Sequence, residues 1–425
     1  MADHHAQAAA LLAAPALAAG FVAPRYDGWG IANVAPTMLR AFGVADEHPG
    51  LNEAVLPPAM LDGVRRIVCL IVDAFGYRQL LHEVERQPDL ALGRLMARDD
   101  VAFAPLTSVF PSTTVNALTT ANTGAQPGEH GVLGYTLWLP EYGAVSEMIR
   151  FGPYAGPWFY AQAGIDVTTF QSCPTIFQRV QAEAGVAPYI VSAEAYRGSA
   201  LSLMQTGGAR YVPYLGLSDM VTHIRRLVET PGDDRMLIGA YYGELDAVCH
   251  VYGVGTPEHA AEVAMLDAAL QRELFARVRR PDTLFILFAD HGHINCTPEH
   301  TIDLVADHPA LLADLVVGPT GEGRARYLHV RDGRREAVRA YLTEHFGAFS
   351  VVLDADEAVA RGLFGTRPLT PAARARIGDL LLLPRGNWYF HHYLSPQTKP
   401  LKIIGRHGGL TPEEMLAPFF ALRLG

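Results

Sequence analysis

The chain has 425 residues, 49% of them hydrophobic and 18% charged. That is the composition of a folded protein with room for one large α/β domain with insertions, or for two domains, and it excludes a disordered chain. A formal net charge of −10 excludes binding to nucleic-acid polymers through a basic surface.

Residues 1–40 are expected to be a leader. They lack the basic start of a signal peptide, and the Ala-rich stretch Ala6–Gly20 is too weakly apolar to span a bilayer, so a loose segment or a short peripheral helix is expected. No later segment reaches the ~18 apolar residues of a membrane span, and a soluble protein that does not engage membranes is expected. Cys69, Cys173, Cys249 and Cys296 contain no CxxC pair. That usage speaks against a thiolate metal knuckle and for a reducing, cytoplasmic setting.

A catalytic α/β domain is expected over 41–425. After a turn-rich approach, Ile67–Val72 reads as a strand buried on both faces that ends at Asp73. A helix starts near Gly76, Val101–Ala104 is a short strand, and Phe110-Pro-Ser-Thr-Thr leads into a helix. Ser112 or Thr113 is its N-cap and Gly124 its stop, which puts Thr114 in the first turn, where exposed N–H groups favour an anion.

Residues 135–185 read as an inserted cap. Its first part, Tyr135 to Tyr160, carries eight aromatic residues in 26. They form either a hydrophobic cluster under a long loop or a cover over the site, with ring faces for an organic substituent. Alternation then resumes with a strand at Pro188–Val191, a helix at Leu217–Glu229, and a strand at Met236–Tyr242 leading to Asp246 and His250. A helix over Glu258–Arg279 precedes the strand Leu284–Ala289, which ends at Asp290-His291-Gly292. Residues 321–384 read strand, helix, strand and are expected to form a small α+β insert. The chain then returns at Gly405-Arg-His-Gly-Gly409.

Three strand ends thus offer carboxylates and imidazoles, the oxygen and nitrogen donors of a hydrolytic metal site, where open α/β sheets place their chemistry. Asp246 and His250, four apart, share one face of a helix. Taken singly, each pair is ordinary surface chemistry. Their order is not.

Asp73, the Pro-Ser-Thr-Thr helix start, Asp-x3-His, Asp-His-Gly and the late His-Gly together resemble the alkaline phosphatase superfamily, and within it the type I phosphodiesterase/nucleotide pyrophosphatase branch. The resemblance implies a three-layer α/β sandwich around a mostly parallel central sheet. It also implies two divalent ions, zinc or alternatively manganese. One would be held by Asp246, His250 and His407, the other by Asp73, Asp290, His291 and Thr114, with Thr114 as nucleophile and Thr113 as its neighbour and rival.

Where many phosphodiesterases of the branch carry an asparagine that steadies the phosphoryl oxygen, this chain has Tyr135, a candidate substrate contact. The expected function is metal-dependent hydrolysis of a small phosphate ester, nucleotide-like or otherwise, through a phosphothreonine. The alternatives are a phosphomonoesterase, a phosphonate hydrolase, a phosphomutase, or a degenerate binding protein on the same scaffold.

Overall fold

The computed structural model describes residues 3–14, 16–154, 156–171, 173–391 and 403–425. Strands are numbered along the chain. The central sheet is built from β1 (Arg66–Val72), β2 (Ala102–Thr107), β6 (Ala187–Ala193), β7 (Arg210–Tyr214), β8 (Met236–Tyr242), β9 (Arg280–Phe288) and β18 (Leu416–Leu424). Their order across the sheet is β2-β18-β9-β1-β8-β6-β7. Only β18 runs against the others, so the sheet is mostly parallel. Every residue of β1 is buried, as a strand covered by helices on both faces must be. Even Arg66 is buried there, because its guanidinium donates to the carbonyls of Val228, Thr230 and Gly232.

Two of these strands, β7 and β18, lie where no strand was expected. Each contains a proline, Pro213 and Pro418, a residue that argues against a strand interior. β18 escapes the penalty by pairing Pro418 opposite Pro105 of β2, which confines the missing donors to one position of the sheet.

A second sheet is antiparallel and combines distant parts of the chain. Its strands are β3 (Thr136–Leu139), β4 (Ala144–Glu147), β5 (Gly152–Pro153), β12 (Thr320–Glu322), β13 (Ala325–Leu328), β14 (Ser350–Asp354) and β15 (Leu380–Pro384). Their order is β14-β15-β13-β12-β3-β4-β5. The join is Gly321 opposite Thr136. Gly321 has φ +83°, and a side chain at neighbouring Gly134 would come within 3.2 Å of its Cα. Only glycine allows two backbones this close. The stretch beginning at Tyr135 and the segment 321–384 therefore meet in one sheet. Within the aromatic stretch, Phe151 packs against Tyr160 and Phe170 with ring centroids 5.0 and 4.7 Å away, a hydrophobic cluster.

Two small ladders complete the strands: β10 (Ile294–Asn295) with β17 (Gly405–Arg406), and β11 (Thr301–Asp303) with β16 (Tyr389–His391). At the N-terminus, His4–Ala13 is a helix with Leu11 buried. Among the described residues no helix is long and apolar enough to cross a membrane.

Candidate active site

The parallel strands deliver their following residues to one edge of the central sheet. Asp73 follows β1 directly, Asp246 lies in the helix Glu244–Tyr252 just after β8, and Asp290 and His291 follow β9. Because β18 runs the other way, the chain entering it brings His407 to the same edge. Thr114 is the first residue of the helix Thr114–Thr123 beyond β2, and Gly124 closes that helix with φ +77°.

One half of the site is sealed from solvent. Around Nε2 of His291 stand Thr114 Oγ1 at 3.2 Å, Asp73 Oδ1 at 3.4 Å and Asp290 Oδ2 at 3.4 Å. Neither of these two carboxylate oxygens receives a hydrogen bond among the described residues. The opposite oxygens are anchored. Asp73 Oδ2 accepts from the Tyr241 hydroxyl, while Asp290 Oδ1 accepts from the backbone N–H groups of Ala74 at 3.1 Å and His291 at 2.9 Å. Ala74 adopts φ +65° to aim its N–H, a left-handed conformation disfavoured for a residue with a Cβ. Burial, reinforced by the charges of Asp290 and Asp246, holds the Asp73 carboxyl well above its ordinary range. Burial likewise raises Asp290, against the pull of His291. Two carboxylates in this position lack a counter-charge.

The other half is more open. Asp246, His250, His293 and His407 have ligand atoms mutually within 4.8 Å. His250 Nε2 lies 3.4 Å from Asp246 Oδ2, and His407 Nε2 lies 4.0 Å from Asp246 Oδ1. His250 Nδ1 donates to the Gly405 carbonyl at 2.8 Å, and His407 Nδ1 to that of Ser112 at 3.2 Å. Those bonds place the proton on Nδ1 and leave Nε2 bare toward the cluster, the arrangement in which metal-binding histidines are held. Burial, with the charges of His291, His293 and His250, pushes His407 well below its usual range, which keeps it neutral. For Asp246, burial acts upward but is outweighed by the His293 hydrogen bond and the neighbouring imidazoles, and the carboxyl sits at about 2.

The donor set fits divalent cations. Oxygen and nitrogen ligands ~2.0–2.1 Å from a tetrahedral ion stand roughly 3.3 Å from one another, and the spacings around His291 Nε2 match this. Asp246 belongs to both candidate groups, Asp73–Asp246–His291 and Asp246–His250–His293–His407, so the two halves adjoin.

The structure brings Asp73, Thr114, Asp246, His250, Asp290, His291 and His407 together. It separates the two threonines: Thr113 turns its hydroxyl to half-buried Glu322, and Thr114 faces His291. Tyr135 is bound elsewhere. Its N–H donates to Glu322 Oε1 at 2.6 Å, and its side chain bonds Glu147. His293 went unnoticed in the sequence, although Asp290-His-Gly-His293 places three ligand-type residues within four positions.

A cavity of about 220 Å³ opens beside Thr114, Asp73 and Asp246. Ile71, Leu118, Phe177, Ile190 and Leu201 line its interior, and among the described residues no lysine or arginine does. Among the described residues of the aromatic stretch only Ile149 reaches it, and Tyr142, Phe151 and Tyr160 pack on one another, the cluster reading of the two.

The family model for type I phosphodiesterase / nucleotide pyrophosphatase matches residues 67–410, and the chain belongs to this family, within the alkaline phosphatase superfamily. It is therefore a phosphoester hydrolase. No curated protein matches it in sequence. Among solved structures it is similar to murine ectonucleotide pyrophosphatase / phosphodiesterase 5, with TM-score 0.61 and 18% identity over 84% of this chain and 87% of that one. An inactive threonine-to-alanine variant of that murine protein, in complex with AMP, gives 0.60 and 17% over 84% and 88%. Phosphonoacetate hydrolase from Sinorhizobium meliloti 1021, in complex with phosphonoacetate, gives 0.61 and 20% over 84% and 89%. The fold is shared with all three.

Proposed function

We propose that the protein hydrolyses a phosphodiester carrying an apolar organic group, with Thr114 as nucleophile beside two divalent cations. One observation carries this reading. Three oxygens, from Asp73, Asp290 and Thr114, gather 3.2–3.4 Å from His291 Nε2, and the two carboxylate oxygens among them lack any donor. Buried anions without partners are costly, and cations remove that cost. Asp73, Asp290, His291 and Thr114 would hold one ion; Asp246, His250 and His407 would hold the other. Zinc suits these donors, and manganese is the alternative.

When bound, such ions lower the pKa of a hydroxyl and accept negative charge from the phosphoryl group. Three carboxylates and one alkoxide balance two divalent cations, so a substrate's charge meets a site near neutrality. Thr114 Oγ1 attacks phosphorus, the bond to the leaving oxygen breaks, and the hydroxyl's proton ends on the released alcohol. The remaining alkyl phosphate is then esterified to Thr114. Water cleaves that ester, returning the threonine hydroxyl and releasing a phosphate monoester. The helix N-terminus at Thr114 favours the negative charge that develops there.

The cavity supports the choice of substrate. An engineered apolar cavity of about 150 Å³ binds benzene, so 220 Å³ admits a substituted ring or a short chain. Among the described residues no basic side chain lines it, which favours an apolar group over a second phosphate. The inactive threonine variant of the murine relative supports the role of Thr114. A phosphonate is the second reading, favoured by the likeness to phosphonoacetate hydrolase.

Rates on bis- and mono-p-nitrophenyl phosphate and on phosphonoacetate, with added zinc or manganese, test the proposal. The diester is expected to be turned over fastest. Thr114→Ala should lower its kcat at least about 10³-fold while metal content stays that of the parent. Full activity in that variant sinks the nucleophile assignment.

A further inference from the structure

Every carboxylate and imidazole in the proposed ligand set is held by a partner behind it. His250, His407 and His291 each direct Nδ1 at a backbone carbonyl, of Gly405, Ser112 and Gly292 respectively. Asp73 is held by the Tyr241 hydroxyl, and Asp290 by two N–H groups. For Asp246 that partner is His293, whose Nε2 lies 2.7 Å from Oδ1. We infer that His293 is a positioning residue for this centre: its Nε2–H donates to Asp246 Oδ1 and so fixes Asp246 Oδ2 toward His250.

The alternative, His293 as a fourth ligand, fits the distances less well. Two ligands of one tetrahedral ion stand roughly 3.3 Å apart, whereas 2.7 Å is a hydrogen-bond length. The remaining nitrogen decides the tautomer. His293 Nδ1 is buried with no partner among the described residues, and Gly405 backs against it so closely that a Cβ there would come within 2.6 Å. Ligation through Nε2 would put the proton on Nδ1, a buried donor with nothing to accept it. Donation from Nε2 leaves Nδ1 a bare lone pair.

The ring itself cannot swing. His293 is fully buried, its carbonyl accepts from Gln79 Nε2 at 2.6 Å, and the next two residues pair with Gly405–Arg406 in the β10–β17 ladder. Asp246 sits on a short helix at the more exposed side of the site, so its carboxylate is the ligand most in need of an external brace. A fourth ligand would also close the coordination position that a catalytic ion keeps open.

The inference rests on the two-metal reading, and binding of zinc alone to the full chain tests both. The parent should take up two equivalents, and a parent that binds none overturns the two-metal reading itself. His293→Leu is expected to weaken one equivalent by about ten- to a hundred-fold, the range for such outer partners, in competition with a chromogenic chelator, and to leave the other unchanged. His293→Gln, which can still donate to Asp246, should recover most of that loss. The melting temperatures of the metal-free proteins show that both variants are folded. Unaltered zinc affinity in His293→Leu overturns the assignment. So does loss in both variants together with an average of about half a nitrogen neighbour fewer per zinc in X-ray absorption of the two-zinc protein, which would make His293 a ligand.

Discussion

The two halves of the site use the same chemistry under opposite electrostatic conditions. Asp73 and Asp290 are buried against each other, and both carboxyls are pushed upward. Asp246 is ringed by imidazoles and held at about 2. Its side chain keeps 18% exposure, against 1% for Asp73 and none for Asp290. A carboxylate's readiness to be an anion is therefore set by what surrounds it, and the sealed half depends on a cation far more than the open half does.

Asp290→Asn is the sharpest way to break that contrast. The amide oxygen can still accept from Ala74 and His291, and the new NH2 group then points to the unpartnered oxygen of Asp73. One equivalent of metal should be lost, and turnover of a phosphodiester should fall by at least about 10³-fold. The metal-free variant, by contrast, should be more stable than the metal-free parent at pH values above the raised folded-state pKa of the pair, by about 1–3 kcal/mol, because there two like-charged carboxylates are replaced by an amide hydrogen-bonded to one. Elemental analysis and denaturant unfolding check the two outcomes. A metal-free variant less stable than the parent would mean that Asp73 and Asp290 do not oppose one another.

The same contrast has a pH signature in the metal-free protein. For Asp73 and Asp290 the folded-state pKa lies above the unfolded value. Their contribution to stability is therefore fully present below that value, about 3.8, and is lost as pH rises through the higher folded value. Asp246 is the reverse: its contribution holds above about 3.8 and is lost only as pH falls through about 2. Above about pH 3.8 the stabilising effect of bound zinc should therefore grow with pH, since the cation relieves the pair whose folded-state pKa lies above that value. Melting temperatures with and without chelator, in the parent and in Asp290→Asn, read this directly. The gap should widen by several degrees in the parent and stay flatter in the variant.

What the sequence revealed follows from locality. Asp73, Asp246 and Asp290 were legible because each closes an apolar run, and strand ends of parallel sheets converge on one edge whatever lies between them. The helix at Thr114 was legible from its flanking Thr113 and Gly124. Thr114 was singled out over Thr113 only by the family resemblance, and in the structure it is Thr114 that contacts His291. His293 was missed because it lies in a loop, where no periodicity marks the direction of a side chain, and its meaning comes from Asp246, 47 positions away. The second sheet was illegible for the same reason. Its halves join at Gly321 and Thr136, and nothing local to either glycine-flanked segment names the other. The aromatic run left two readings open for a different reason: ring content says that a cluster forms, not whether it faces a substrate.

Tyr135 offers the smallest effect and tests whether anything beyond the two halves touches the phosphoryl group. Its hydroxyl has one proton to give, and Glu147 takes it. Burial, with Glu147 beside it, also raises this phenol above its usual range, which keeps the proton in place at any working pH. To steady a phosphoryl oxygen the hydroxyl would have to abandon a carboxylate, exchanging one charged acceptor for another at little net gain. Tyr135→Phe should therefore cost less than about threefold in kcat/KM, while Glu147 loses one donor and keeps Arg150, at a cost of about 0.5–1.5 kcal/mol in stability. Steady-state kinetics on the phosphodiester, together with unfolding of the zinc-loaded variant, separate the two. A fall of tenfold or more in kcat at unchanged stability would show that the proton turns to the substrate on binding, and that the site has a third member outside its metal-holding halves.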